Sequence, residues 1–297
     1  MSTQGARANA MIGLYTETSL HAGMGQSTGV VDLPIQREGH NGWPCVFGSG
    51  VKGALRAKAA EETEQDEEKL IELVFGPDTN NASEHAGSLS VGDARLLLMP
   101  IRSLTSSFKW VTCPEALARL KRDAERLGIE MPALPESVKT IQASQALVPE
   151  RAGDLFLEEY LFESEISDLS AVIAVLTKLL TRDDAEQALQ ERLVVISNDM
   201  FAHLCQHGTP VNAHIRLEEN KTVATGALWY EETLPPDTLL YVPLSAAPAR
   251  RKEATQPADA MLGFVSTLFA TKPWLQLGGN ETVGMGWCRV SEMLGAE

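Results

Sequence analysis

The apolar positions of the chain follow two periods, one of about two residues and one of about 3.6, interrupted by glycine-rich stretches. Met11 to Leu20 is a short run with Tyr and Thr that predicts a strand. From His21 to Gly50 the pattern is lost, and Gly23, Gly25, Gly29, Gly39, Gly42, Gly48 and Gly50 mark a long loop. Helical spacing then runs over Lys52–Val74, with Ala54, Leu55, Ala59, Leu70, Leu73 and Val74 on the buried side. Ser88–Met99 reads as one strand. Residues 101–163 look irregular apart from a helical stretch near Glu115–Leu127, as an insertion into the main fold would.

Later the order returns. Ile166–Leu180 and Asp183–Glu191 have helical spacing, and Leu193–Ser197 is a strand. Over Val211–Leu217, Val211, Ala213, Ile215 and Leu217 point one way while Asn212, His214 and Arg216 point the other. A turn at 218–221 and a second strand over Thr222–Tyr230 complete a long β-hairpin. Leu239–Leu244 predicts a strand, Pro257–Ala270 a helix, and Gly286–Val290 a last strand after a glycine loop. Alternating strands and helices around an insertion predict an α+β fold. Its core is a ferredoxin-like (RRM-like) sheet with helices on one face, carrying the inserted region and a projecting hairpin.

Composition narrows the function classes. Apolar content of 44% with 22% charged residues is that of a soluble globular protein. No eighteen-residue apolar run spans a membrane, and the first ten residues lack a secretory pattern. Cys45, Cys113, Cys205 and Cys288 form no C-x-x-C pair, which suits reduced thiols in a cytoplasmic protein. His203 and His207 have the i, i+4 spacing of metal ligands on a helix, but neither the H-E-x-x-H glutamate nor a third ligand accompanies them. The net charge of −15 argues against a nucleic-acid partner, yet residues 1–60 carry five basic and three acidic side chains, leaving −17 for the rest. Seven acidic residues between Glu61 and Glu72 read as a solvated helix face. A local basic strip and backbone amides can bind RNA while the acid lies outside.

Three segments carry candidate chemistry. In Gly278-Gly279-Asn280-Glu281-Thr282-Val283-Gly284-Met285-Gly286, glycines permit positive φ and close approach of amides to phosphate; a plain turn between strands is the alternative. Asp32 lies between a glycine run and Pro34, where a carboxylate can act as a base or recruit a hydrated divalent metal, or can simply cap its own turn. His21 joins it if the loop folds back. Ser49, before a predicted helix, is an N-cap signal, and Lys52 and Arg56 on one face of that helix add two cations to a potential phosphate site; a ligand-free basic face is equally consistent.

Together these segments resemble a known family, the RAMP proteins of type III CRISPR systems, and within it the backbone subunit of the type III-B (Cmr) complex. The resemblance rests on Leu14-Tyr15-Thr16, His21-Ala22-Gly23-Met24-Gly25, the run Gly29–Glu38, Gly48–Arg56 and the glycine loop 278–286, and covers most of the chain. The run Gly29–Glu38 is particular to this subunit, whereas the late glycine loop is shared by RAMP proteins generally. The resemblance implies a palm, a fingers insertion at 101–163 and a thumb hairpin at 208–232 within one composite domain, 1–297. Copies of the chain would stack along a guide RNA with the other type III-B subunits, and each thumb would wedge into the guide–target duplex. Asp32 matches the catalytic aspartate of a metal-dependent endoribonuclease using Mg2+ or Mn2+, in which the 2′-hydroxyl of the target attacks and leaves a cyclic phosphate. His21 and Glu231 match supporting positions, while Thr233 stands where a tyrosine is expected. Ser49, Lys52, Arg56, Gly278, Gly279, Gly284 and Gly286 are the expected RNA contacts. Two rival expectations accompany the guide-directed nuclease: a non-catalytic RNA-binding scaffold in the same kind of complex, and a nuclease that matures the guide by itself.

Overall fold

A computed structural model of the chain describes residues 7–63, 68–77 and 85–295. In chain order the elements begin with β1 (Ala8–Thr16), β2 (Cys45–Val46), α1 (Gly48–Glu62), α2 (Glu68–Phe75), β3 (Leu89–Val91), β4 (Ala94–Arg102), β5 (Phe108–Thr112) and α3 (Pro114–Leu127). Next come α4 (Glu136–Lys139), β6 (Gln145–Val148), β7 (Gly153–Leu157), β8 (Tyr160–Ile166), α5 (Ser170–Leu179), α6 (Ala185–Arg192), β9 (Leu193–Ile196) and α7 (Asn198–His207). The chain closes with β10 (Val211–Leu217), β11 (Val223–Glu232), β12 (Leu239–Ala246), α8 (Ala258–Thr267), β13 (Trp274–Gln276), a 3-10 turn (Glu281–Val283) and β14 (Trp287–Leu294). The fold is mixed α+β: one large sheet, and a separate two-stranded sheet made by β10 and β11.

Strand order in the large sheet is β13-β14-β1-β12-β4-β5-β9-β6-β8-β7, with β2 added to β4 and β3 to β12. Two pairs, β5–β9 and β6–β8, are parallel; the remaining pairs are antiparallel. A single strand joins the two halves, because β4 pairs β12 through Arg95–Leu98 and β5 through Met99–Arg102.

Helices cover both faces of this sheet, which corrects the one-faced expectation. The reason lies in β1, which is apolar on both sides. Ala10, Ile12 and Leu14 enter one core with Val51 and Leu55 of α1, Phe201 of α7 and Met261 of α8. Met11 and Tyr15 enter the other with Leu120 of α3, Leu176 of α5 and Leu189 of α6. A strand buried on both faces reads as a continuous apolar run, and each face needs its own cover.

The stretch 88–99 is two strands. Pro243 in β12 has no N–H to give to a ladder, and opposite it the chain breaks between β3 and β4 at Gly92, whose own N–H bonds the Pro243 carbonyl at 2.9 Å. A Cβ at Gly92 would lie 2.6 Å from the Pro243 ring, so only glycine fits there. Residues 101–163 are likewise more regular than their sequence suggests, since β5 to β8 all join the large sheet. Ile166 ends β8 and is exposed, and the helix after it starts only at Ser170. Part of the acidic stretch 61–72, residues 64–67, lies outside the described residues. Among the described residues no helix is long and apolar enough to cross a membrane.

The four cysteines are buried and unpaired. His203 of α7 is held by the Tyr160 hydroxyl at 2.8 Å, and Cys205 is turned into the core. Among the described residues no group of three or more His, Cys, Asp and Glu side chains is placed to hold a metal ion.

Candidate functional site

The loop after β1 folds back on itself. Met24 N–H bonds the Pro34 carbonyl, Gln36 N–H that of Ala22 and Ser27 N–H that of Asp32, all within 2.8–2.9 Å. His21 and Asp32 are thereby drawn into one hairpin-like loop, and its outer edge runs alongside the end of β11, with Leu33 bridging Glu231 in parallel.

Three consecutive residues of β11 then anchor the three predicted catalytic side chains. The Tyr230 N–H donates to Asp32 Oδ2 at 2.7 Å. Glu231 supplies its own side chain. The Glu232 carbonyl lies 2.7 Å from His21 Nδ1, and because a carbonyl can only accept, Nδ1 carries a proton. Asp32 is half-buried, His21 and Glu231 are buried, and Asp32 Oδ1 takes no bond from a described residue.

Glu232 fastens the arrangement. Its Oε2 accepts the Ile35 N–H at 3.1 Å, and its Oε1 accepts Arg37 Nη2 at 2.5 Å and the Thr209 hydroxyl at 2.6 Å. Arg37 also donates to the Gly42 and Cys205 carbonyls at 2.7 and 3.0 Å. This buried ion pair ties the Asp32 loop to α7 and to the root of the β10–β11 hairpin. Thr233 follows, fully buried with its N–H on the Pro210 carbonyl, so the side chain at the expected tyrosine position faces the interior.

The glycine loop closes the site from the other side. Gly278 has φ +77°, and a Cβ there would come within 2.3 Å of the His21 carbonyl, which the Gly279 N–H caps at 2.9 Å. Gly286, at φ +85°, is equally crowded against the Leu277 carbonyl, whereas Gly284, at φ +84°, faces open space. Between them Asn280 adopts the left-handed conformation (φ +63°) and donates its amide to Glu231 Oε1 at 2.7 Å.

Ser49 is not the N-cap of α1. The helix starts one residue earlier, Phe47 occupies the cap, and the Gly48 N–H is satisfied by Asp93 Oδ1 at 2.7 Å from the β3–β4 turn. Gly48 is required for that contact, since a Cβ would meet the Val91 carbonyl at 2.6 Å. Ser49 is exposed on the first turn. Gln36 links this helix start to the loop, accepting from the Phe47 N–H at 2.7 Å and donating to the Gly23 carbonyl at 3.1 Å. Lys52 and Arg56 are half-buried and donate to the carbonyls of Leu89 at 3.0 Å and Gly76 at 2.8 Å, respectively. Burial and the nearby guanidinium groups of Arg250 and Arg56 hold the Lys52 ammonium below its usual range.

Local sequence held little sign of Arg37, Thr209 and Glu232. An asparagine between glycines is a recognised left-handed position, so Asn280 carried the one available signal.

The description "RAMP superfamily" fits the chain over residues 14–289. It is 38% identical over 287 residues to the CRISPR system Cmr endoribonuclease Cmr4 of Pyrococcus furiosus, covering 95% of this chain and 94% of that one. The crystal structure of oligomeric Cmr4 from Pyrococcus furiosus superposes with a TM-score of 0.72 at 28% identity, over 98% of this chain and 100% of the other. A chain in the cryo-EM structure of a type III-B Cmr-beta complex bound to cognate target RNA shares the fold, with a TM-score of 0.73 at 22% identity over 97% and 98% of the two chains. With nearly its whole length matched, the chain belongs to the RAMP superfamily and, within it, to the Cmr4 subunits of type III-B CRISPR systems.

Proposed function

We propose that this chain is a guide-RNA-binding backbone subunit of a type III-B ribonucleoprotein, and that it cuts complementary target RNA with Asp32. The observation that carries the reading is the hydrogen bond from the Tyr230 N–H to Asp32, which fixes a carboxylate with one free oxygen at the root of a projecting hairpin. The likeness to an endoribonuclease at 38% identity supports it.

Strand order β14-β1-β12-β4 with α1 and α8 between strands supports the reading of a ferredoxin-like palm. The β10–β11 hairpin is the thumb within 208–232, and 101–163 supplies the fingers. One face of the hairpin is apolar and bare, with Ile215 51% and Leu217 52% exposed beside Leu228 and Tyr230. Such a face suits unstacked bases of a guide–target duplex better than water. Exposed Ser49 at the first turn of α1, the exposed glycines Gly279 and Gly284, and the flanks of Lys52 and Arg56 line the path for the guide backbone, with Gly278 and Gly286 holding the loop in shape. Further copies of the chain and the other complex subunits complete the assembly in the cytoplasm.

The cut is an in-line displacement. The 2′-oxygen of the target forms a bond to the adjacent phosphorus, the bond to the 5′-oxygen breaks, and the products are a 2′,3′-cyclic phosphate and a 5′-hydroxyl. One proton leaves the 2′-hydroxyl and one is taken up by the leaving oxygen. Asp32 takes the first, and the buried side chains of His21 and Glu231 support the loop and the phosphate geometry. A single carboxylate with one free oxygen fits the open, mostly hydrated sites that Mg2+ or Mn2+ occupies together with substrate phosphates, and it does not make a closed cage. Bound there, the ion would neutralise charge on the phosphoryl oxygens.

The test uses the chain assembled with its partner subunits and a guide. Wild type and Asp32→Ala are compared on labelled complementary RNA, with magnesium or with EDTA. Regular cuts that need both Asp32 and metal, with target affinity unchanged, are expected. Cuts that survive Asp32→Ala refute the catalytic assignment, and tight binding without cuts in wild type would leave a scaffold.

A further inference from the structure

The hairpin has a second face. Directly opposed residues of an antiparallel pair share a face, so Asn212 with Glu231 and His214 with Trp229 lie together on the side away from the bare apolar surface. His214 stacks on Trp229, with ring centroids 5.6 Å apart and planes 14° from parallel. Its Nε2 is buried, has no hydrogen-bond partner, and lies 3.9 Å from Glu231 Oε1, although the side chain as a whole is 32% exposed. Glu231 itself is only 4% exposed, and Asn280 Nδ2 is its one hydrogen-bond donor among the described residues.

We propose that His214 is a positioning residue for Glu231, completing a chain His214–Glu231–Asn280 that sets the carboxylate for RNA cleavage. This rests on the reading of the site given above. Both groups address the same oxygen, Oε1, and that leaves Oε2 without a hydrogen-bond donor among the described residues. A separation of 3.9 Å is about 1 Å longer than an ordinary N–H···O hydrogen bond, and bonds of this kind are often long before substrate is bound. The movement that closes it is available, because β10 is paired only with β11 and is free along its other edge. An RNA duplex seated on the apolar face presses β10 from the side opposite His214. The hairpin then senses the duplex and transmits its presence to Glu231 through one imidazole. A ring that merely filled space under Trp229 would need no nitrogen aimed at a carboxylate.

Two substitutions separate these roles. His214→Phe keeps the ring and the stack but removes Nε2, whereas His214→Gln keeps an N–H donor. Each is made alone and with Glu231→Gln, assembled into the guide-loaded complex, and assayed by single-turnover cleavage of labelled target alongside target binding and melting temperature. The expected result is a loss of about 10–100-fold in cleavage rate for His214→Phe, with affinity and melting unchanged. His214→Gln should recover most of that loss, and His214→Phe should add less than about two-fold once Glu231 is already Gln. Wild-type cleavage by His214→Phe, or an equal loss in both backgrounds, overturns the proposal. Asp32→Ala run in parallel keeps the two readings apart. If it cuts normally the site assignment has failed, and if it is dead while His214→Phe cuts normally only the role of His214 has failed.

Discussion

Removing the carboxylate of Glu232 should unfasten the candidate site, and the loss can be sized from its contacts. Glu232→Ala leaves three groups without their partner: the Arg37 guanidinium at 2.5 Å, the Thr209 hydroxyl at 2.6 Å and the Ile35 N–H at 3.1 Å. The pair is largely out of water, with 19% of the Arg37 side chain and 8% of that of Glu232 exposed. Breaking a buried pair by deleting one member costs about 3–5 kcal/mol, because the survivor is left charged and unpaired. Arg37 keeps its bonds to the Gly42 and Cys205 carbonyls, which places the loss at the low end, about 3 kcal/mol. For a chain of this length that corresponds to a fall of about 6 °C in melting temperature. Glu232→Gln, which still accepts the Ile35 N–H, should lose about half as much. The double change Arg37→Met with Glu232→Leu should lose less than Glu232→Ala alone, since no charge is then stranded. Thermal unfolding by circular dichroism reads all three. A Glu232→Ala melt within about 1 °C of wild type, or a double variant that loses as much as Glu232→Ala or more, would refute the assignment of this pair as the fastening.

Three further outcomes are expected. Asp32→Asn keeps an acceptor for the Tyr230 N–H, so its melting temperature should stay at the wild-type value while cleavage by the assembled complex is lost; a destabilised variant would instead mark Asp32 as a structural residue. Gly278→Ala combines φ +77° with a Cβ 2.3 Å from the His21 carbonyl, and should lower stability by about 1–3 kcal/mol and slow cleavage, whereas Gly284→Ala, with open space around it, should show only the smaller backbone strain; equal melting temperatures would refute the distinction. Burial pushes the Cys45, Cys113 and Cys288 thiols up to about 12 from an ordinary 9.0, and Cys205 well above its ordinary value. The folded chain therefore holds protons that the unfolded chain releases, so stability should be level below pH 9 and fall as pH rises beyond it. The thiols should also resist a disulfide reagent at pH 8 until denaturant is added, and rapid labelling of the native protein would contradict their burial.

Much of the hairpin was legible from sequence, because strict alternation over Val211–Leu217 and a turn leave few alternatives. Alternation names a face without naming its cover, however, and the apolar side of this hairpin meets solvent. The Asp32 loop was legible only as a loop. What gives it chemical sense is contact with residues about two hundred positions away, Tyr230 and Glu232, and no local pattern encodes such pairings. Strands β5 to β8 were missed for a related reason. Each is short and gains its strand identity from neighbours such as β9, which pairs Trp110–Thr112 only after α3 to α6 have been laid down. Ser49 shows a local rule overridden from a distance, since Asp93 caps the helix that the serine was expected to cap.

Two of the three anchors on β11 are main-chain atoms, the Tyr230 N–H and the Glu232 carbonyl. Any amino acid other than proline at position 230 offers the same N–H, so that hook is indifferent to side-chain replacement. It is not indifferent to spacing. Adding or deleting one residue within the root of β11 would slide every later side chain to the opposite face, and would put Tyr230 or Glu232 in the place of Glu231. The turn at 218–222 lies at the far end of the hairpin and, among the described residues, hydrogen-bonds only within itself, through Glu218, Asn220, Lys221 and Thr222. For anyone attaching a fluorophore or an epitope to this subunit, the tip is the place to lengthen the chain, and the root is the place where a single inserted residue silences it.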